Sequence, residues 1–180
     1  MSALRTAIPI AWVVFWLYWL VAATRARPGG RGTPMRPPGL LAIVLVVVLL
    51  RVFHAHTLLV RSPALEALGT LLFVAGLATA VWARVHLGRN WGMPMTSKDE
   101  PELVTSGPYR LVRHPIYSGI LLALLGTALA TNVYWLIVAG AIGAYFLHSA
   151  RVEERLMTAA FPARYPSYRA RTKMLIPFLL

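Results

Sequence analysis

The sequence predicts an all-α integral membrane protein of about five transmembrane helices, and three observations carry that prediction. Of 180 residues, 58% are hydrophobic and only 13% are charged, about half the charged share of a soluble domain. A soluble fold this apolar would leave large sticky patches in water. The apolar residues fall in uncharged runs long enough to cross a hydrocarbon core of about 30 Å. The 18 Lys and Arg, against 6 Asp and Glu for a net charge of +12, cluster between those runs. Basic loops of this kind belong beside an anionic cytoplasmic leaflet.

The first helix is expected between Arg5 and Arg25, which enclose 19 uncharged residues including Trp12, Trp16, Tyr18 and Trp19. Its basic flank, Arg25 and Arg27, follows the apolar run, the reverse of a cleavable signal peptide, so a retained helix is expected. Breakers and charge from Arg27 to Pro34 end it. The second helix is expected over Leu40 to Val60, with Arg51 snorkelling toward an interface. His54 and His56 near its end face different sides of a helix and make no metal pair. Ser62-Pro63 opens the third, with Pro where its missing N–H is harmless. From Ala67 to Ala83 there are 17 uncharged residues, with Gly69 and Gly76 suited to close packing in lipid.

Residues 84–113 read as a long irregular loop, a length that is uncommon unless functional. His114 to Ala150 then holds no formally charged side chain over 37 residues, enough for two helices with Thr131-Asn132 as the turn. The fourth, Ile116 to Ala130, spans roughly 22 Å and must begin at or below the interface, near His114 and Pro115. The fifth starts at Val133 and runs past Ala150 to Ala160, where Phe161-Pro162 stops it. With this topology 15 of the 18 Lys and Arg lie on one side, which places the 84–113 loop and the C-terminal segment together in the cytosol. Two units result: residues 1–62, two helices with a basic linker, and residues 63–180, three helices with the 84–113 loop and the 151–180 segment.

Several function classes are excluded. With Cys absent, thiolate chemistry, Cys-ligated zinc and iron–sulfur clusters are out, and no metal site is expected. The Gly-rich linker near residue 30 has neither G-x-G-x-x-G order nor a preceding strand, and no Walker lysine motif occurs. No ionisable residue sits mid-membrane as an inverted-repeat transporter requires. No groove-reading helix or aromatic-basic platform supports nucleic-acid binding.

Chemistry-bearing residues concentrate in two stretches, Thr105 to Gly119 and Arg151 to Arg171. The helical hairpin between them starts and ends on one membrane face, so the two should be neighbours. The first ends at a helix start with positive potential, flanked by the rings of His114 and Tyr117. The second holds Glu153 and Glu154 among arginines. Adjacent helix residues point about 100° apart, which argues against a simple acid/base pair. An interfacial belt of Tyr, Arg and Glu remains the alternative to a site.

The run Gly107-Pro108-Tyr109-x-x-x-Arg113-His114-Pro115-x-Tyr117-x-Gly119, followed by Glu153-Glu154-x-Leu156, Tyr165-x-x-Tyr168-x-x-Arg171 and Ile176-Pro177, resembles the isoprenylcysteine carboxyl methyltransferase family. The broader group includes phospholipid N-methyltransferases. The likeness covers roughly residues 70 to 178 and departs at Phe161-Pro162, where the family more often has Phe-Gly. It implies an S-adenosylmethionine-dependent enzyme with a cytosol-facing cofactor pocket between the loop before the fourth helix and the C-terminal segment. Cofactor contacts carried over are Pro101, Glu102, Leu103, Val104, Tyr109, His114, Pro115, Ile116, Tyr117 and Glu153. Arg151 and Glu154 take the reacting end, and the register between Glu153 and Glu154 stays open.

Methyl transfer from a sulfonium is an in-line displacement governed by positioning. A carboxylate acceptor needs no base, and an arginine orients it; an amine acceptor needs one. Tyr109 and Tyr117 suit stacking or a cation–π contact. The expected activity is carboxyl methylation of a lipophilic acceptor in a prokaryotic cell membrane, with membrane lipid around it and no protein partner required. The alternatives are N-methylation of a phospholipid headgroup or hydrophobic amine, and a scaffold that keeps the fold without catalysis.

Overall fold

The computed structural model describes residues 4–23, 31–32, 59–91, 96–97 and 102–177. The expected second helix, with His54 and His56, and the linker up to residue 36 lie almost wholly outside them. Among the described residues the regular structure is helical apart from one two-residue antiparallel pairing, Arg31–Gly32 with Thr96–Ser97, and two single bridges, Leu59–Asn132 and Val112–Lys173. Helix α1 is Leu4–Ala23, α2 is Pro63–Leu87, α3 is Pro115–Ala130, α4 is Trp135–Ala160 and α5 is Tyr165–Arg171. Three of these, α1, α2 and α4, are long and apolar enough to cross a membrane, and α3 is a shorter apolar helix.

Helices α2 and α3 run antiparallel in backbone contact. A Cβ added at Gly69 would fall 2.4 Å from the amide of Ala130, and one at Gly76 would fall 2.4 Å from that of Ala123. On the facing helix, the same addition at Gly119 would meet the amide of Ala80 at 2.6 Å. These glycines recur every seven residues, which keeps them on one stripe of each helix. In lipid no hydrophobic force presses helices together, so close backbone approach supplies the attraction. Helix α1 packs across this pair through Ile8, Trp12 and Phe15, and the Trp12 indole donates to Thr127 Oγ1 at 3.1 Å. Trp19 also packs against this core, while Val13, Leu17 and Leu20 are exposed, as a lipid-facing surface requires.

The expected turn at Thr131-Asn132 is present. The Asn132 side chain accepts from the Tyr134 amide at 3.0 Å, and Thr131 O accepts from the Val60 amide at 3.1 Å. Helix α4 runs to Ala160, and the chain turns at Phe161-Pro162 as the sequence predicts.

One boundary differs. The irregular loop expected from residue 84 begins later, because α2 continues to Leu87 and a 3₁₀ turn follows over Gly88–Asn90. Arg84 is not the solvated stop that its charge predicts: it is 4% exposed. Its guanidinium donates to Ala22 O at 2.6 Å and Gly88 O at 2.8 Å and lies 4.7 Å over the Trp91 ring. With its guanidinium bonded to the open Ala22 carbonyl at the end of α1 and to Gly88 O, nothing ends α2 there. Gly88, at φ 55°, ends it instead.

Candidate active site

The site forms where α3 begins and α4 leaves its apolar stretch. Pro115 occupies the first turn of α3 and holds His114 at the N-cap position. On α4, Phe146, Ala150, Glu153 and Glu154 share the face turned toward α3, at the i, i+4, i+7 and i+8 spacing of one helical stripe. The Tyr117 ring stacks between those of His114, with centroids 5.5 Å apart at 5°, and Phe146, 4.2 Å apart at 10°.

Both glutamates converge on His114. Tyr117 donates its hydroxyl to Glu153 Oε1 at 2.6 Å, and Glu153 Oε2 lies 3.4 Å from His114 Nδ1. Glu154 Oε1 accepts from Arg113 Nε at 2.6 Å and sits 3.6 Å from His114 Nε2, while its Oε2 lies 3.4 Å from Arg169 Nε. The 100° between the two side chains is what lets them flank one imidazole from both edges. Burial works to lower the His114 pKa, but Glu153 and then Glu154 raise it by more, so the net shift is upward. His114 Nε2 is buried without a hydrogen-bond partner among the described residues.

The C-terminal segment closes over this cluster. The amides of Arg113 and His114 donate to Lys173 O at 2.8 Å and Met174 O at 3.0 Å. Arg113 Nη1 donates to the carbonyls of Arg169 and Thr172, and Ser118 Oγ donates to Leu175 O. Tyr168 on α5 donates to Tyr109 O at 2.6 Å. The inference from connectivity, that residues 105–119 and 151–171 are neighbours, therefore holds.

The carried-over residues divide into groups. His114, Tyr117, Glu153 and Glu154 form the centre, and Pro115 and Ile116 are buried at its base. Tyr109 is buried beside it, with its ring facing His86 at 6.4 Å. Leu103 and Val104 are half-buried, and Glu102 is exposed and accepts from Asn90 at 2.6 Å, so it stands apart from the centre. Arg151 is exposed and makes no contact with the glutamates. Pro101 lies outside the described residues. Arg113, Arg169 and Phe146 also belong to the site; Arg113 stands in the motif but without an expected role, and the other two lie outside it. Phe146 was findable, since it lies seven residues before Glu153 on the same helical stripe. The grip of Arg113 on Glu154 joins residues 41 apart and had no local signal.

The chain is similar to known proteins in sequence and in fold. Residues 64–164, more than half of the chain, match the phospholipid methyltransferase family. The cobalt-zinc-cadmium resistance protein CzcN of Cupriavidus metallidurans is 34% identical over 66% of this chain and 51% of its own length. Methanethiol S-methyltransferase 2 of Bradyrhizobium diazoefficiens is 44% identical over 39% of this chain and 27% of its own length. The solved structure of the eukaryotic intramembrane Ras methyltransferase, an isoprenylcysteine carboxyl methyltransferase, superposes with a TM-score of 0.57 at 21% identity. It covers 79% of this chain and 52% of that one, so the present chain spans about half the length of such relatives, or less. On the family match over more than half of its length, the chain belongs to the phospholipid methyltransferase family.

Proposed function

We propose that this chain is an integral membrane methyltransferase that uses S-adenosylmethionine and methylates a carboxylate on a lipophilic acceptor at the cytosolic face of a prokaryotic membrane. The observation that carries the proposal is the His114 cluster, with two carboxylates and a stacked tyrosine inside the family-matched core. The proposed core is residues 63–180, and the family match over 64–164 supports it.

The residues suit a sulfonium donor. Glu153 stands beside the stacked rings of His114, Tyr117 and Phe146, and its carboxylate supplies the negative charge that favours a cation there. His114, Tyr117, Glu153 and Tyr109 would hold the donor, which supplies an electrophilic methyl group when bound. Arg113 keeps Glu154 in place, and the tail over His114 excludes water. Arg151 is exposed one turn before Glu154 and has no partner among the described residues, so it is placed to pair with an acceptor carboxylate.

A second reading, methylation of a thiol or amine, is favoured by the likeness to a methanethiol S-methyltransferase. Such an acceptor gives up a proton, which Glu153 is placed to take. Incubating the protein with methyl-labelled donor and membrane lipids decides between them. Label released by mild base identifies an ester and supports the carboxylate assignment; base-stable label overturns it, and no transferred label removes the enzyme assignment.

A further inference from the structure

The 151–177 region has an inner and an outer face of opposite character. Its acids, Glu153 and Glu154, both turn inward onto His114, Tyr117 and Arg113. Outward it exposes Arg151, Arg155, Arg164, Arg169, Arg171 and Lys173, with no exposed acid among residues 151–177. Two large apolar side chains accompany them: Leu111 is 53% exposed and Ile176 is 49% exposed. Leu111 stands four residues before the start of α3, and Ile176 follows the strand-like stretch that pairs at Val112–Lys173. Both therefore sit at the level where the apolar helices begin, the water–lipid boundary. Cations beside exposed apolar side chains at that depth suit headgroups that carry negative charge.

This surface is also wired to the site. Arg169 touches Glu154 on one side and is exposed on the other, and its carbonyl accepts from Arg113. Lys173 O and Met174 O receive the amides of Arg113 and His114.

We propose that the cationic rim of residues 151–177 is a docking surface for anionic phospholipid headgroups, and that this contact holds the C-terminal segment shut over the His114 cluster. The inference rests on the membrane reading of the site and adds a lipid that acts as a clamp. Each basic residue near an anionic surface contributes roughly a fivefold preference. Arg169, Arg171 and Lys173 acting together are sufficient for a tenfold effect after screening by salt.

The test is amide hydrogen exchange of residues 165–177 in the full chain, in nanodiscs of phosphatidylcholine alone and with one third phosphatidylglycerol. Exchange should slow about tenfold or more in the anionic discs and return to the neutral-disc rate at high salt. R171Q/K173Q in anionic discs should lose most of that protection, keeping only the share of the remaining arginines. Equal wild-type rates in the two discs overturn the proposal, as does full protection of the double variant. Equal protection in neutral discs by soluble heparin assigns the rim to a water-borne polyanion and overturns the lipid assignment. Exchange is read without any methyl donor, so this result and the methyltransferase assignment stand or fall separately.

Discussion

Replacing Gly126 with Ala adds one methyl group at the tightest point of the α2–α3 seam. That Cβ would lie 2.3 Å from the amide nitrogen of Phe73, 2.5 Å from Gly69 O and 2.7 Å from Phe73 Cα. Every one of these atoms is backbone, so no side chain can swing aside. Ordinary contact begins near 3.4 Å, which obliges the helices to part by about 1 Å. Overpacking of this kind costs about 1–3 kcal/mol, and this site belongs at the upper end because both surfaces are rigid. Removing a helical glycine returns about 0.8–1 kcal/mol, leaving a net loss of about 2 kcal/mol. For a chain of this size that is a fall in melting temperature of roughly 4–8 °C, read by thermal unfolding in detergent. Gly140→Ala is the matched control, since its added Cβ has nothing within 4 Å, and it should hold or raise the melting temperature. If Gly126→Ala proves as harmless as Gly140→Ala, the seam is not in backbone contact and the packing argument fails.

The other expectations concern the site. Tyr117→Phe removes a hydroxyl bonded to a carboxylate, an interaction of about 1.5–3 kcal/mol. It should weaken binding of S-adenosylhomocysteine roughly tenfold to a hundredfold by calorimetry, with helicity unchanged by circular dichroism. Arg113→Lys keeps the charge but loses the fork that joins Glu154 to the Arg169 and Thr172 carbonyls; proteolysis of residues 165–177 should accelerate while α1–α4 stay intact. His114 binds its proton more tightly folded than unfolded, so its stabilisation is complete below about pH 6.5 and fades as pH rises through its raised value. The melting temperature should therefore decline on the alkaline side, and His114→Gln should flatten that slope.

What the sequence made legible follows the range of the forces involved. The ends of α3 and α4 were readable because Pro115, Thr131-Asn132 and Phe161-Pro162 act within a turn of chain. The meeting of residues 105–119 with 151–171 was readable because a membrane hairpin must return to the face it left. The end of α2 was misread because Arg84 is satisfied by Ala22, 62 residues away, and no local pattern announces such a partner. For the same reason Arg113 went unassigned. The glutamate pair was legible as a feature, but its arrangement was not. The angle that spoke against a joint role is the one that lets both carboxylates reach a single histidine held at the start of another helix.

Titrating the purified full chain with S-adenosylhomocysteine, beside Glu153→Gln and Glu66→Gln, is the most direct test. Saturable heat should appear for the wild type and for Glu66→Gln, whose carboxyl lies in the first turn of α2 at the far end of that helix. It should weaken at least tenfold for Glu153→Gln. No saturable heat from the wild type, or equal affinity in all three proteins, would contradict a donor site at the His114 cluster.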